Sequence, residues 1–307
     1  MTKRHLVIAT RESPLALQQA ESVKQLLLEK HPHLSIELLG LTTLADKRLD
    51  VSLIEIGGKG LFVKELEEAL LDGRADIAVH CIKDVPMDLP PGLIIPTVLK
   101  REDPRDAFVS NDYNSVHQLP TASKIGTSSL RRQTQLRAIR SDLDLQMLRG
   151  NINTRLKRLD DGDFAGIILA AAGLKRMGLA GRIRSYFSVE ECLPAAGQGA
   201  LGIECREEDN QVRELIAPLH DAISFDCITA ERAVCKYLEG GCKVPIAAFA
   251  QIHKDNLVLR GAVANRSATL ILESKREGSR EQAAELGIRV AKELLQQGAE
   301  KILREFK

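Results

Sequence analysis

Two distant stretches of this chain read alike, and that likeness limits its possible folds more than any other feature. Ile8-Ala9-Thr10-Arg11-Glu12-Ser13-Pro14-Leu15 and Ile125-Gly126-Thr127-Ser128-Ser129-Leu130-Arg131-Arg132 each run from an apolar strand through a Thr/Ser cap and an arginine into a helix. Around the first copy, apolar runs at 5–9, 35–41 and 75–82 alternate with helical patterns at 13–30 and 63–71. Around the second, strands at 123–127, 143–148 and 166–171 alternate with helices at 130–139 and 153–160 and a helical turn at 174–177. Such alternation favours a mostly parallel sheet, because parallel strands need a helix-length crossover. The expectation is an α/β chain with two α/β domains flanking a cleft, the usual seat of a small ligand. Ser13 suits an N-cap and Pro14 the first helical position, and Leu17, Ala20, Val23 and Leu27 give that helix an apolar stripe.

The pattern changes after Gly202. A helix at 226–238, the breaker Gly240-Gly241, strands at 246–252, 257–263 and 270–275 and a closing helix at 281–305 predict a smaller C-terminal α+β domain, with a boundary near Pro218. A length of 307 residues fits this division into residues 1–99 with 200–218, 100–199, and 219–307.

Charge is informative only by position. The chain carries 43 basic and 42 acidic residues, and with aromatics at 3% and no Trp it offers neither the field nor the stacking surfaces that nucleic acid needs. Between 100 and 199, however, 12 Arg and 4 Lys outnumber 11 acids, whereas residues 1–99 hold 11 bases against 14 acids. That excess predicts a local anion site. A hydrophobic content of 44% excludes disorder, and no apolar run approaches the roughly 18 residues of a membrane helix. The run 6–9 is too short for a signal-peptide core. Six scattered cysteines without C-x-x-C spacing predict reduced thiols, a cytoplasmic protein and no structural metal.

Three constellations are candidates for chemistry. Arg11, Arg131, Arg132, Arg149, Arg155 and Arg176 fall at strand-to-helix junctions, where helix N-termini favour anions and guanidinium forks grip carboxylate or phosphate. Asp84 ends an apolar strand beside Lys83, where a carboxylate can act as general acid/base or serve merely in a turn. Cys242, in Glu239-Gly240-Gly241-Cys242-Lys243, is a thiol on a glycine loop beside a cation, better suited to covalent attachment than to hydrolysis. Two glycine runs mislead. Gly197-Gln198-Gly199-Ala200-Leu201-Gly202 lacks the preceding strand and following helix of a dinucleotide site, and Gly57-Gly58-Lys59-Gly60 lacks phosphate-loop spacing. The latter reads as a mobile loop bearing Lys59, with Phe62 behind it.

Taken together, Ala9 to Ala16, Gly57 to Phe62, His80 to Pro86, Arg101 to Ala107, Gly126 to Gln133, Arg149-Gly150-Asn151, Leu193 to Gly202 and Glu239 to Pro245 closely resemble the porphobilinogen deaminase family. The resemblance implies three domains, the first two similar to periplasmic binding proteins. It also implies a dipyrromethane cofactor in thioether linkage to Cys242. Four porphobilinogens would be joined head to tail with loss of ammonia, and hydroxymethylbilane then released by hydrolysis. By the same resemblance Asp84 is the catalytic aspartate. Arg11, Arg131, Arg132, Arg149, Arg155 and Arg176 bind carboxylates with Lys83, Ser13 and Ser129 beside them, Lys59 and Phe62 belong to an active-site loop, and Gln198 lies near the cofactor. A monomer with no macromolecular partner is expected. The sequence departs from the family at Cys81, where Ser is usual, and at Leu44-Ala45-Asp46. Cys81 near the crevice suggests oxidation sensitivity. Without the resemblance, a non-catalytic cytosolic small-anion binding protein would also fit two halves and a cleft. A pyridoxal-phosphate enzyme using Lys59 lacks a phosphate cup.

Overall fold

The computed structural model describes residues 5–43, 60, 63–239 and 244–306. Leu44, Ala45, Asp46, Lys59, Phe62 and Cys242 lie outside them. The chain opens with β1 (His5–Arg11), α1 (Pro14–Lys30), β2 (Ser35–Leu41), α2 (Lys64–Leu71), β3 (Ile77–Cys81) and β4 (Leu93–Val98). It continues through β5 (Asp106–Val109), β6 (Lys124–Gly126), α3 (Leu130–Ile139), β7 (Asp144–Gln146), α4 (Ile152–Asp160), β8 (Gly166–Ala170), α5 (Ala171–Arg176) and β9 (Ile183–Tyr186). Next come β10 (Leu201–Arg206), α6 (Asn210–Ile216), α7 (Ala222–Tyr237), β11 (Ile246–His253), β12 (Asn256–Ala264), β13 (Ile271–Gly278), α8 (Ala283–Gln296) and α9 (Ala299–Arg304). Two compact units emerge: Met1–Arg101 with Ala200–Phe225, and Glu102–Gly199 with Asp226–Lys307.

Each unit holds a five-stranded sheet, in the orders β2-β1-β3-β10-β4 and β7-β6-β8-β5-β9. The orders are equivalent. In each, three strands run parallel as the alternation predicts, but the fourth is antiparallel to both of its neighbours. The sheets are therefore mixed. The inserted strands are where the chain enters the second unit (β5) and returns to the first (β10). A third sheet, β11-β12-β13, is an antiparallel meander in the second unit. The architecture is thus two sheet domains with a small C-terminal sheet.

Burial explains why the parallel strands were readable. Leu6 and Ile8 of β1 and Ile77 and Val79 of β3 pack against Ala20, Val23 and Leu27 of α1, while Ala9 and Ala78 on the other face meet Leu66, Ala69 and Leu70 of α2. Strands covered on both faces become continuous apolar runs. Two details differ from expectation. Leu17 is 38% exposed, its place on the inner face of α1 being taken by buried Gln19, whose amide reaches Cys81 Sγ at 3.1 Å. The closing helix breaks into α8 and α9 at Gly298, which adopts a left-handed φ of 105°.

Candidate active site

In the first sheet the parallel strands β1 and β3 end at one edge, and that edge carries Arg11, Ser13, Lys83 and Asp84. Arg11 is the last residue of β1. Ser13 caps α1, its hydroxyl accepting from the Ala16 N–H at 3.4 Å. Beyond β3 the chain makes one 3-10 turn, Ile82–Asp84, which leaves Lys83 and Asp84 half-buried. Ile82 N–H donates to Ala200 O at 3.1 Å, so the returning strand fixes that turn.

The second sheet repeats the arrangement with more arginines. Ser129 caps α3 and accepts from the Arg132 N–H, and Asn151 caps α4 and accepts from the Thr154 N–H. β6, β7 and β8 are mutually parallel, so the junctions carrying Arg131, Arg132, Arg149, Arg155 and Arg176 lie at one edge. Arg149 and Arg155 are half-buried, and Arg155 Nε donates to Gly150 O at 2.8 Å. Arg176 donates to Gly199 O at 2.6 Å. Gly199 has a φ of +91°, and a side-chain carbon there would sit 2.4 Å from Glu102 O, so only glycine lets the loop pass so close.

Arg131 and Arg132 are not exposed grips. They are 5% and 6% accessible and share one fully buried carboxylate, Asp106. Arg131 Nη1 lies 2.8 Å from Asp106 Oδ2, and Arg132 donates to Asp106 Oδ1 from Nε at 2.9 Å and Nη2 at 2.7 Å. The antiparallel β5 puts Asp106 there, because its first residue pairs with Ala170 at the end of β8. Gln198 joins the same group, donating from Nε2 to Asp106 Oδ1 at 2.9 Å and to Pro104 O at 2.7 Å. Burial pushes the Asp106 carboxyl up, but the two guanidiniums outweigh it and hold it well below the usual carboxylate range. Burial, then the Asp106 charge, pushes the neighbouring Cys192 thiol up to about 12. Two guanidiniums on one carboxylate leave a surplus positive charge at the α3 N-terminus, and Arg131 Nε is buried without a hydrogen-bond partner among the described residues. That edge suits a ligand bearing several carboxylates. No sequence pattern singles out Asp106, although it lies in the Arg101–Ala107 run that carries the resemblance.

The comparisons with known proteins agree. Residues 6–214 match the model of the porphobilinogen deaminase dipyrromethane cofactor binding domain, and residues 225–296 that of the porphobilinogen deaminase C-terminal domain. The chain belongs to the porphobilinogen deaminase family. Porphobilinogen deaminases are transferases, hydroxymethylbilane synthases, that condense four porphobilinogens onto a dipyrromethane cofactor with loss of ammonia and release the linear tetrapyrrole. Among solved structures, the periplasmic aliphatic sulphonate binding protein SsuA from Escherichia coli is 14% identical, with 78% of this chain and 71% of that one covered and a TM-score of 0.42. A nutrient binding protein from Burkholderia cenocepacia bound to methionine is 12% identical over 69% and 90%, at 0.44. Immunogenic lipoprotein A from Vibrio vulnificus is 14% identical over 72% and 96%, also at 0.44. Likeness at these TM-scores says nothing of ligand. No helix among the described residues is long and apolar enough to cross a membrane.

Proposed function

We propose that Asp84 is the catalytic carboxylate of this porphobilinogen deaminase and that the arginines of the two sheet edges hold the carboxylates of its cofactor and substrates. The observation that carries this reading is the convergence of parallel strand ends, which gathers Arg131, Arg132, Arg149, Arg155 and Arg176 on one edge and Arg11, Lys83 and Asp84 on another. When bound, dipyrromethane supplies the pyrrole primer to which the first substrate joins. Acetate and propionate groups accumulate with each porphobilinogen, and preformed guanidiniums hold them at little ordering cost. Ser129 and Ser13 cap and fix the helix N-termini that meet that charge, Lys83 adds a cation beside Asp84, and Gln198 orients Arg132 through Asp106. As the amine of a porphobilinogen aminomethyl group departs as ammonia, the C–N bond breaks and the methylene carbon left on the pyrrole becomes cationic. The Asp84 carboxylate stabilises that charge and takes the proton released when the new carbon–carbon bond forms.

Cys242 is the attachment point in this reading, and Lys59 and Phe62 belong to an active-site loop. The domains we propose are residues 1–99 with 200–218, 100–199, and 219–307, the last carrying the Cys242 loop. In this reading the protein is a monomer that works on porphobilinogen in the cytoplasm. The test is Asp84→Ala followed by turnover and intact-protein mass. We expect turnover to fall by about 10²-fold or more while the adduct on Cys242 remains. Near-normal turnover would overturn the assignment of Asp84, and a chain without adduct from a host that makes porphobilinogen would overturn that of Cys242.

A further inference from the structure

Behind the strand that leads to Asp84 lies a group of titratable side chains that the reaction does not use. His80, the penultimate residue of β3, is 5% exposed, and Glu204 on β10 is 1% exposed. Gly202 pairs with His80 and Glu204 with Ala78, so His80 and Glu204 are diagonal neighbours on one sheet face, with His80 Nε2 2.7 Å from Glu204 Oε2. The same face meets α2, which contributes Glu67, itself 7% exposed. Glu67 Oε1 and Glu204 Oε1 are both buried without a hydrogen-bond partner among the described residues. The charged groups acting on Glu67 are Glu204 from β10, His80 from β3 and Glu68 from its own helix. The neighbouring strand β4, Leu-Ile-Ile-Pro-Thr-Val, brings no titratable side chain.

With His80 protonated and both carboxylates ionised, this interior would hold a net negative charge and two carboxylate oxygens facing no donor. A buried anion without a donor is among the costliest arrangements a core can contain. One proton relieves it. Burial, and after it the Glu204 charge, raises Glu67 to about 7, so that proton is held in mild acid and lost as pH rises through the neutral range.

The link to Asp84 is short and stiff. Only Cys81, Ile82 and Lys83 separate it from His80. Ile82 is 2% exposed and packs so closely on β10 that a side-chain carbon at Gly202 would fall 2.3 Å from Ile82 Cδ1. A change in the His80–Glu204 contact therefore has no slack in which to dissipate before the turn.

We infer that Glu67, His80 and Glu204 form a proton-holding cluster that positions the Asp84 turn, with His80 as the positioning residue and Glu67 as the site where the proton is kept or lost. Above neutrality the ionised Glu67 repels Glu204, weakens its hold on His80 and displaces the carboxylate at the end of β3. This rests on the proposed role of Asp84. The test is the pH profile of kcat for the holoenzyme and for Glu67→Gln, which keeps the shape of the side chain and cannot ionise. Wild type should lose activity with a midpoint near the Glu67 value, and in Glu67→Gln that alkaline midpoint should rise by about one pH unit or more, with kcat at pH 6.5 within about twofold. His80→Asn should lower kcat about tenfold or more with KM for porphobilinogen nearly unchanged, as a misplaced catalytic group does. An alkaline limb identical in wild type and Glu67→Gln overturns the inference, as does a full-rate His80→Asn. Failure of the Asp84 reading is recognised separately, by an active Asp84→Ala.

Discussion

Asp106→Asn is the sharpest test of how the arginine edge is built. The substitution keeps side-chain volume and one acceptor oxygen but removes the only charge between Arg131 and Arg132, both at 2.7–2.8 Å from it. All three side chains are at least nine-tenths buried, so solvent cannot replace the lost partner, and two uncompensated guanidiniums remain. Removing one partner of such a buried group typically costs about 3–5 kcal/mol. At a urea slope of about 2 kcal/mol per M this lowers the unfolding midpoint by roughly 2 M. The chain has no Trp, so tyrosine fluorescence is the natural probe, and Tyr186, with the Arg105 guanidinium 4.2 Å over its ring, reports on this unit. The sign of the pH effect follows from the lowered Asp106 value. Its contribution is present above the unfolded carboxylate pKa and is lost as pH falls toward the folded value, so wild type and variant should converge in strong acid and differ fully at pH 7. A shift below about 0.5 M at pH 7 would refute the reasoning. A triple replacement of Arg131, Asp106 and Arg132 by Met, Leu and Met separates stability from function: it should recover most of the midpoint and still fail to retain the cofactor.

Other outcomes follow from the same geometry. Glu67 is raised from 4.5 to about 7, so its stabilising contribution is complete below about pH 4.5 and disappears as pH rises through 7; thermal unfolding of wild type should lose about 3 kcal/mol over that span relative to Glu67→Gln. Gly199→Ala forces a side chain into a left-handed backbone 2.4 Å from Glu102 O, and should destabilise by about 1–3 kcal/mol while moving the carbonyl that Arg176 holds, seen as a raised KM. Burial pushes Cys192 up to about 12 and Cys205 up to about 11, so both should stay unmodified by iodoacetamide at pH 8 in the folded protein and react on unfolding, as peptide mapping would show.

What the sequence made legible, and what it hid, follows from the sheet order. β1, β3 and β8 are buried on both faces and read as apolar runs, and with the Ser13 and Ser129 caps they mark strand-to-helix junctions where arginines fall. The antiparallel strands β5 and β10, and the edge strand β9 beside β5, left no such trace. β5 is Asp-Ala-Phe-Val and β9 is Ile-Arg-Ser-Tyr, too short for periodicity to register, and β10 finds its neighbours only because the chain leaves the first unit and returns. His80 and Glu204 meet across 124 positions, and Asp106 and Arg132 across 26. No local pattern announces such a pair, since each residue alone looks like one more surface charge. Burial decides otherwise, and it changes the chemistry assigned to the arginines. Residues that read as interchangeable guanidinium grips divide into Arg131 and Arg132, locked on Asp106 with one net charge between them, and Arg149 and Arg155, half-buried at the next junction. Under the proposed function the locked pair supplies a fixed field whose ordering cost is met when the chain folds, and Arg155, held through Nε by Gly150 O at 2.8 Å, is likewise positioned before any carboxylate arrives.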